Sequence, residues 1–392
     1  MNLQIACHQL FLENRRHKGD FQYTVPSPTT YPHQWLWDSC FHAIILSHSN
    51  TEDAKKEILS LLSKQFTNGL IPHMIFWNPN NQKNSKFWGQ NGTSSITQPP
   101  IVAYAVWEIF KKDKDIKFLE KIYPNLYHFY RYLLNERDPH DKHLIGILNP
   151  DESGEDDSPR FDALLGLKSK HSFKTNLNKR FELVKKNIDC KFDAPFCMRN
   201  LFWVKDVPFN SIMAENLKIL ADIAKKLDFD DDANYFVKQS EHIIWAMRDL
   251  MLEDGLFWST YGEDYKKIKI KTWAIFTPLF ANILTHKEAE ILVEKHLLNS
   301  KEFWTKYPIP TVSLKERSFS DFFWRGPTWI GANWFIYKGL LNYGFTDVAK
   351  DIKNSSIRLI EKSGFREYFN CQTGEGLGAK NFTWGGLVVD MN

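Results

Sequence analysis

The chain reads as an all-α protein built as one domain, residues 1–392. Helical periodicity recurs from one end to the other, strand signals are few, and no Gly/Ser linker or composition shift divides it. Hydrophobic content of 43% and charged content of 25% are those of a globular chain able to bury a core. No internal repeat is visible.

The elements follow in order. Helices are predicted over 2–15 and 38–49. From Ala54 to Phe66, the residues Ile58, Leu61, Leu62 and Phe66 fall on one face, the stripe of an amphipathic helix. Further helices are predicted over 98–112, 115–135 and 174–188. Met213, Leu217, Leu220, Ala221 and Ala224 form a second stripe. Segments 231–250, 273–285, 287–298, 327–343, 345–362 and 382–391 complete the set. Thr51 and Asp230 stand where helix N-caps are expected. The one strand signal, Leu252 to Tyr261 with Asp254-Gly255 at its turn, predicts a small β-hairpin.

Composition excludes several classes. A net charge of +3 gives no pull toward nucleic acid or a membrane surface. No run approaches the length of a membrane-spanning helix. The N-terminus has no basic stretch followed by an apolar one, so no signal peptide is expected. The 5 cysteines are an odd number, widely spread and without C-x-x-C spacing. Neither a zinc site nor a disulfide framework is therefore expected, and the chain reads as cytoplasmic. The sequence says little about oligomeric state.

The conspicuous strings lie where helices meet loops. They are Tyr31-Pro-His-Gln-Trp-Leu-Trp-Asp-Ser-Cys40, the polar stretch 67–98, the acidic segment Asp151–Arg160, Phe322–Trp329, and Phe365–Asn370 with its Gly-rich sequel and Phe382-Thr-Trp384. Taken together they are rich in Trp, Tyr, Arg and carboxylate. Aromatic content of 15% is high, and aromatic faces stack on sugars as well as packing cores. Asp151–Arg160 crowds five carboxylates beside one Arg. Read alone it is a solvated acidic loop, loosely like a calcium loop, although Asp156 stands where an EF-hand needs Gly. Read chemically, like charges raise one another's pKa and can supply an acid that keeps its proton near neutral pH. Glycosidic cleavage needs such an acid and a second, ionised carboxylate. Glu367, between Arg366 and Tyr368, is a candidate for the second; its plain reading is a surface Glu paired with Arg366. Asp38 reads either as an N-cap or as a ligand for sugar hydroxyls between Trp35 and Trp37. His8, His33, His42 and His73 form no metal-binding spacing and read as core or surface residues.

Together these strings resemble the helical (α/α)6-barrel glycosidases of glycoside hydrolase family 63, and within it the bacterial mannosylglycerate and glucosylglycerate hydrolases. Five segments match in order: Tyr31–His42, Gln98-Pro-Pro100, Glu152–Asp162, Phe323–Trp329 with Asn333, and Arg366–Trp384. The resemblance implies a six-hairpin helical toroid and an inverting hydrolysis of an α-glycosidic bond in a small glycoside, without cofactor or metal. It implies Asp156 as general acid and Glu367 as general base, with a water between carboxyl groups about 6.5–9.5 Å apart. It also implies sugar contacts from Tyr31, Trp35, Trp37, Asp38, Gln98, Phe323, Trp324 and Trp329. The chain departs from the pattern at three places. Phe323 stands where the relatives tend to have Tyr, Asp157 where they often have Asn. The Lys-rich segment 163–206 shows no clear aglycone-reading Arg, with Arg180 and Arg199 as the candidate stand-ins. An α-glucosidase or trehalase-like hydrolase, a phosphorylase, a same-fold isomerase using paired His, and a sugar-binding protein without turnover are the alternatives.

Overall fold

The computed structural model describes residues 2–77, 87–90 and 92–391. Its centre is a ring of six helical segments: Leu36–Ser47, Val102–Asp113, Val207–Lys226, Thr277–Phe280, Ile330–Asn342 and the 3₁₀ run Thr383–Asp390. Each packs on the next, and the last closes on the first. Their sequences show why they lie inside. Every residue of Leu36–Ser47 is buried, and Ile330–Asn342 is buried from Ile330 through Tyr337. A helix apolar on all sides is stable only when enclosed.

Outer helices surround this ring; of the two stripes seen in the sequence, one lies on the outer helix Thr51–Leu62 and the other on the inner helix Val207–Lys226. Thr51–Leu62, Ile116–Glu136, Asp230–Leu250 and Thr346–Ser363 each pack on the inner helix that precedes them, and Leu3–Asn14 packs on Thr383–Asp390. This alternation is an (α/α)6 barrel. Inner-to-outer links are short: 48–50, 114–115, 227–229, 281–285 and 343–345. The connections that return to the N-termini of the inner helices are long, at 15–35, 63–101, 137–206, 251–276, 293–329 and 364–382. One end of the barrel thus carries nearly all the irregular chain, and the described residues of every conspicuous string belong to that end; 78–86 and 91 of the stretch 67–98 lie outside the described residues.

Most predicted helices form within a few residues of expectation. Asn50, rather than Thr51, caps its helix by accepting from the Glu52 and Asp53 N–H groups. Asp230 lies in the first turn of its helix, after Phe229. The helix predicted over 273–285 ends at Phe280, where the Asn342 side chain donates to the Leu279 and Phe280 carbonyls. That over 287–298 is α-helical to Leu292 and continues as a wider turn over Val293–Leu297. The hairpin forms as Leu252–Glu253 against Leu256–Phe257. Among the described residues three further hairpins escaped prediction, Arg15–Lys18 with Phe21–Thr24, Thr260–Tyr261 with Lys266–Lys267 and Arg366–Phe369 with Gly376–Lys380. So did the short helix Ala194–Asn200.

The cysteine expectation needs correction. Cys190 and Cys197 form a disulfide. Lys191 and Phe192, both at positive φ, turn the chain back after helix Phe173–Asp189 and bring the short unpredicted helix alongside. Cys7, Cys40 and Cys371 are free and buried. Among the described residues, no helix is long and apolar enough to cross a membrane.

The acidic segment is not a solvated loop. Glu152 is wholly buried, receives Arg137 in a bidentate pair at 2.8 and 2.7 Å, and accepts the Leu148 and Thr97 N–H groups. Arg137→Met strands this carboxylate, so unfolding in urea is expected to show a loss of about 3–5 kcal/mol. A Glu152→Gln change added to it should recover part of that loss.

Candidate active site

A cavity of about 250 Å³ opens at the loop-rich end. All ten residues singled out in the sequence line it: Tyr31, Trp35, Trp37, Asp38, Gln98, Asp156, Phe323, Trp324, Trp329 and Glu367. The long connections to five inner elements and the first turn of Leu36–Ser47 bring them together.

Indoles make the walls. Trp324 and Trp329 stack at 3.9 Å with rings nearly parallel, and Trp329 stacks in turn on Tyr368 at 5.2 Å. Trp384 meets Trp37 edge-on at 4.8 Å. The Trp384 Nε1–H donates to Asp38 Oδ1 at 2.7 Å; Asp38 is not the N-cap, which is Trp35, but lies in the first turn of its helix with its carboxylate on the cavity wall. Burial pushes the Asp38 carboxyl up to about 6. Gln98 accepts the Trp37 N–H through Oε1 at 3.3 Å. Trp37 also needs the glycine of the acidic segment. A Cβ on Gly154, whose φ is +73°, would lie 2.2 Å from the indole.

Glu367 sits at an irregularity. In its hairpin Arg366 pairs with Lys380 but Tyr368 with Leu377, so Gly378 and Ala379 together oppose Glu367. Such a bulge re-aims a side chain. The Glu367 carboxylate turns inward, accepting the Ala379 N–H on Oε2 and the Tyr31 O–H on Oε1, both at 2.7 Å. A Cβ on Gly378, at φ +64°, would come within 2.4 Å of Oε2. The expected surface pairing with Arg366 does not occur, since Arg366 donates to the Gly378 carbonyl. Glu367 is raised to about 7, first by burial, with the charges of Asp156 and Asp38 adding to it.

Asp156 faces the same cavity from the acidic segment, with 22% of its side chain exposed, and pairs with Arg180 at 2.7 Å. Arg180 projects from helix Phe173–Asp189 and also holds Asp151 at 2.6 Å. The remaining acids point away: Glu155 to Arg160 at 2.5 Å, and Asp162 to Arg325 in a bidentate pair at 3.0 and 2.7 Å. Arg160 additionally grips Asp206. Crowding is therefore not the main cause of the raised carboxyls here. Burial comes first for Asp151, pushed to about 6, and for Glu155 and Asp157, each pushed to about 7.

Two carboxyl groups, one on an arginine and one between neutral donors, face one cavity walled by indoles. That is the equipment of a glycosidase. A model of the mannosylglycerate hydrolase MGH1-like glycoside hydrolase domain matches residues 31–385. The chain belongs to this family. It is 31% identical to a mannosylglycerate hydrolase of Thermus thermophilus, over 96% of this chain and 97% of that one. It is 26% identical to the glucosylglycerate hydrolase of Mycolicibacterium hassiacum, over 98% and 97%. The solved structure of a GH63 mannosylglycerate hydrolase from another strain of Thermus thermophilus, in complex with Tris and D-glycerate, superimposes with a TM-score of 0.90, at 29% identity, covering 99% of both chains.

The glycoside hydrolase site includes residues that the sequence reading left out. Trp384, Phe382, Pro26, Met74 and Phe173 also line the cavity. Trp384 had a signal, since it ends one of the aromatic strings. Phe173 had none, standing on the Lys-rich segment with its ring 5.6 Å from Phe323. Of the two arginines weighed there, Arg180 reaches the site, whereas Arg199 bonds the Pro139 carbonyl. His73 is the one histidine lining the cavity among the described residues. Burial lowers it to about 3, leaving it neutral against Ser94 at 2.6 Å. Among the described residues, the paired histidines of an isomerase are not found on this cavity.

Asp157 is the weakly paired member of the acidic segment. It is 1% exposed, neither carboxyl oxygen has a hydrogen-bond partner, and Arg325 stands 3.9 Å away. Its pKa is about 7 folded against an ordinary 3.8, so folding takes up a proton between these values. Stability held at low pH is then lost as pH rises through about 7. Asp157→Asn, which cannot ionise, is expected to raise the melting temperature at pH 8 and to change it much less at pH 4.

Proposed function

We propose that this enzyme hydrolyses the α-glycosidic bond of mannosylglycerate or glucosylglycerate with inversion, the whole chain acting as one catalytic domain. The observation that carries this reading is the pair Asp156–Arg180 facing Glu367 within one indole-walled cavity. Asp156 gives its proton to the glycosidic oxygen as the bond to the anomeric carbon breaks. Glu367 takes a proton from the water whose oxygen forms the new bond on the opposite face. Trp35, Trp37, Trp324, Trp329 and Phe323 enclose the ring and exclude bulk water, which strengthens each charge interaction inside. Asp38 and the Gln98 amide read sugar hydroxyls.

Arg180 supports an anionic aglycone. It meets Asp151 and Asp156 through Nη1 and Asn176 through Nε; among the described residues Nη2 meets no hydrogen-bond partner, and it is the donor a glycerate carboxylate would meet. The relative at 29% identity was solved with D-glycerate bound. Phe323, without a hydroxyl, offers this end of the cavity only an apolar face, so anion recognition falls to Arg180.

Asp156→Asn and Glu367→Gln are each expected to lower kcat on the cleaved glycoside by about 10²–10⁴-fold with folding intact. Near-normal turnover by either variant sinks the assignment. Proton NMR during hydrolysis is expected to show the β-anomer first; an α-anomer means retention.

Glu367 must be ionised to take the proton. With its pKa near 7 in the free enzyme, kcat/KM is expected to fall as pH drops below about 7. A profile flat down to pH 5 is incompatible with Glu367 as the base.

A further inference from the structure

Tyr31 enters the site as an expected sugar contact, yet its proton is already committed. The phenol donates to Glu367 Oε1 at 2.7 Å while the Ala379 N–H takes Oε2 at the same distance. A phenol has one proton to give. With one donor on each oxygen, the carboxyl plane is held at both ends. The Tyr31 ring is itself held edge-on by Trp35 at 5.7 Å and Phe382 at 5.8 Å, and its backbone N–H is bonded to the Ser27 carbonyl.

The surroundings of Glu367 make this donor matter. Asp156 faces it from the acidic segment and Asp38 from the first inner helix, both acting to keep a proton on it. On its own strand Tyr368 is the next residue, and Arg366 is turned to the Gly378 carbonyl. The Tyr31 O–H and the Ala379 N–H are thus the donors on the carboxylate that oppose burial and two nearby acids.

We propose that Tyr31 is a positioning residue for the general base, fixing the Glu367 carboxylate toward the attacking water and favouring its ionised form, and that gripping the sugar is not its main task. This rests on Glu367 being the base. Each carboxylate oxygen keeps a second lone pair, so the water can bind Glu367 while both donors stay in place.

The test is the pH profile of Tyr31→Phe on mannosylglycerate, beside Glu367→Gln. The positioning role predicts that kcat falls about ten- to a hundredfold, KM changes less than about threefold, and the acidic limb of kcat/KM moves up by about one pH unit. A sugar ligand would raise KM, leave kcat near normal and leave the limb in place, and that result overturns the proposal. Replacing Tyr31 by 3-fluorotyrosine keeps the ring and its packing while making the phenol a stronger donor. The acidic limb should then move down, opposite to Tyr31→Phe. An unmoved limb overturns the proposal even if the Phe variant does not fold. Hydrolysis persisting in Glu367→Gln would instead remove the reading of Glu367 as base, so the two failures are separable.

Discussion

Four buried guanidinium groups hold the acidic segment against the barrel, and the site depends on that attachment. Arg137 takes Glu152, Arg160 takes Glu155, Arg180 takes Asp151 and Asp156, and Arg325 takes Asp162. Taking a carboxylate out of water costs several kcal/mol unless a well-placed partner offsets it. Each acid is thus steered to the arginine that can reach it, and the arginines come from different parts of the chain. With Glu152, Glu155 and Asp162 drawn to partners away from the cavity, Asp156 and its neighbour on Arg180, Asp151, are left to face it. The segment's orientation follows from where its neighbours are anchored, not from repulsion among them.

The barrel supplies those anchors through an asymmetry of loop length. Short links at one end leave room for little besides a turn. The long connections at the other end return to inner-helix N-termini, where backbone N–H groups lack helical partners and favour anionic groups. Asp38, in such a first turn, gains the Trp384 Nε1–H from the neighbouring inner element. Two close approaches then set the cavity's shape, Gly154 against Trp37 and Gly378 against Glu367. Each needs a residue without a Cβ, and in both the backbone also lies at positive φ.

The legible part of this molecule was the part governed by local pattern. Outer helices such as Thr51–Leu62 show one apolar stripe, which periodicity finds. Inner helix Leu36–Ser47 is buried all round, so its boundaries came instead from the string Trp35-Leu-Trp-Asp38. The aromatic and acidic strings located every one of the ten nominated residues on the cavity. What sequence could not show was pairing across distance. Tyr31 and Glu367 are 336 residues apart, and nothing in either string announces their hydrogen bond. The Cys190–Cys197 bond was hidden by a helix of seven residues that leaves little periodic trace. The bulge that aims Glu367 depends on register, which the short strands do not encode by alternation.

The two carboxyl groups proposed as acid and base are distinguished by what holds them. Asp156 meets a permanent cation shared with Asp151. Glu367 meets only neutral donors, a phenol and a peptide N–H, with two acids nearby. A neutral clamp leaves the carboxylate's basicity adjustable by hydrogen-bond strength, because no full charge locks it in the ionised form. On the proposed reading, the guanidinium at the other group is the cation that would meet an anionic aglycone. A glycoside with a carboxylate on its aglycone would dock there, beside Asp156, and thereby set its glycosidic oxygen next to the acid and its ring over the indoles toward Glu367. Selection of the substrate and alignment of the scissile bond would then be the same event, carried by Arg180.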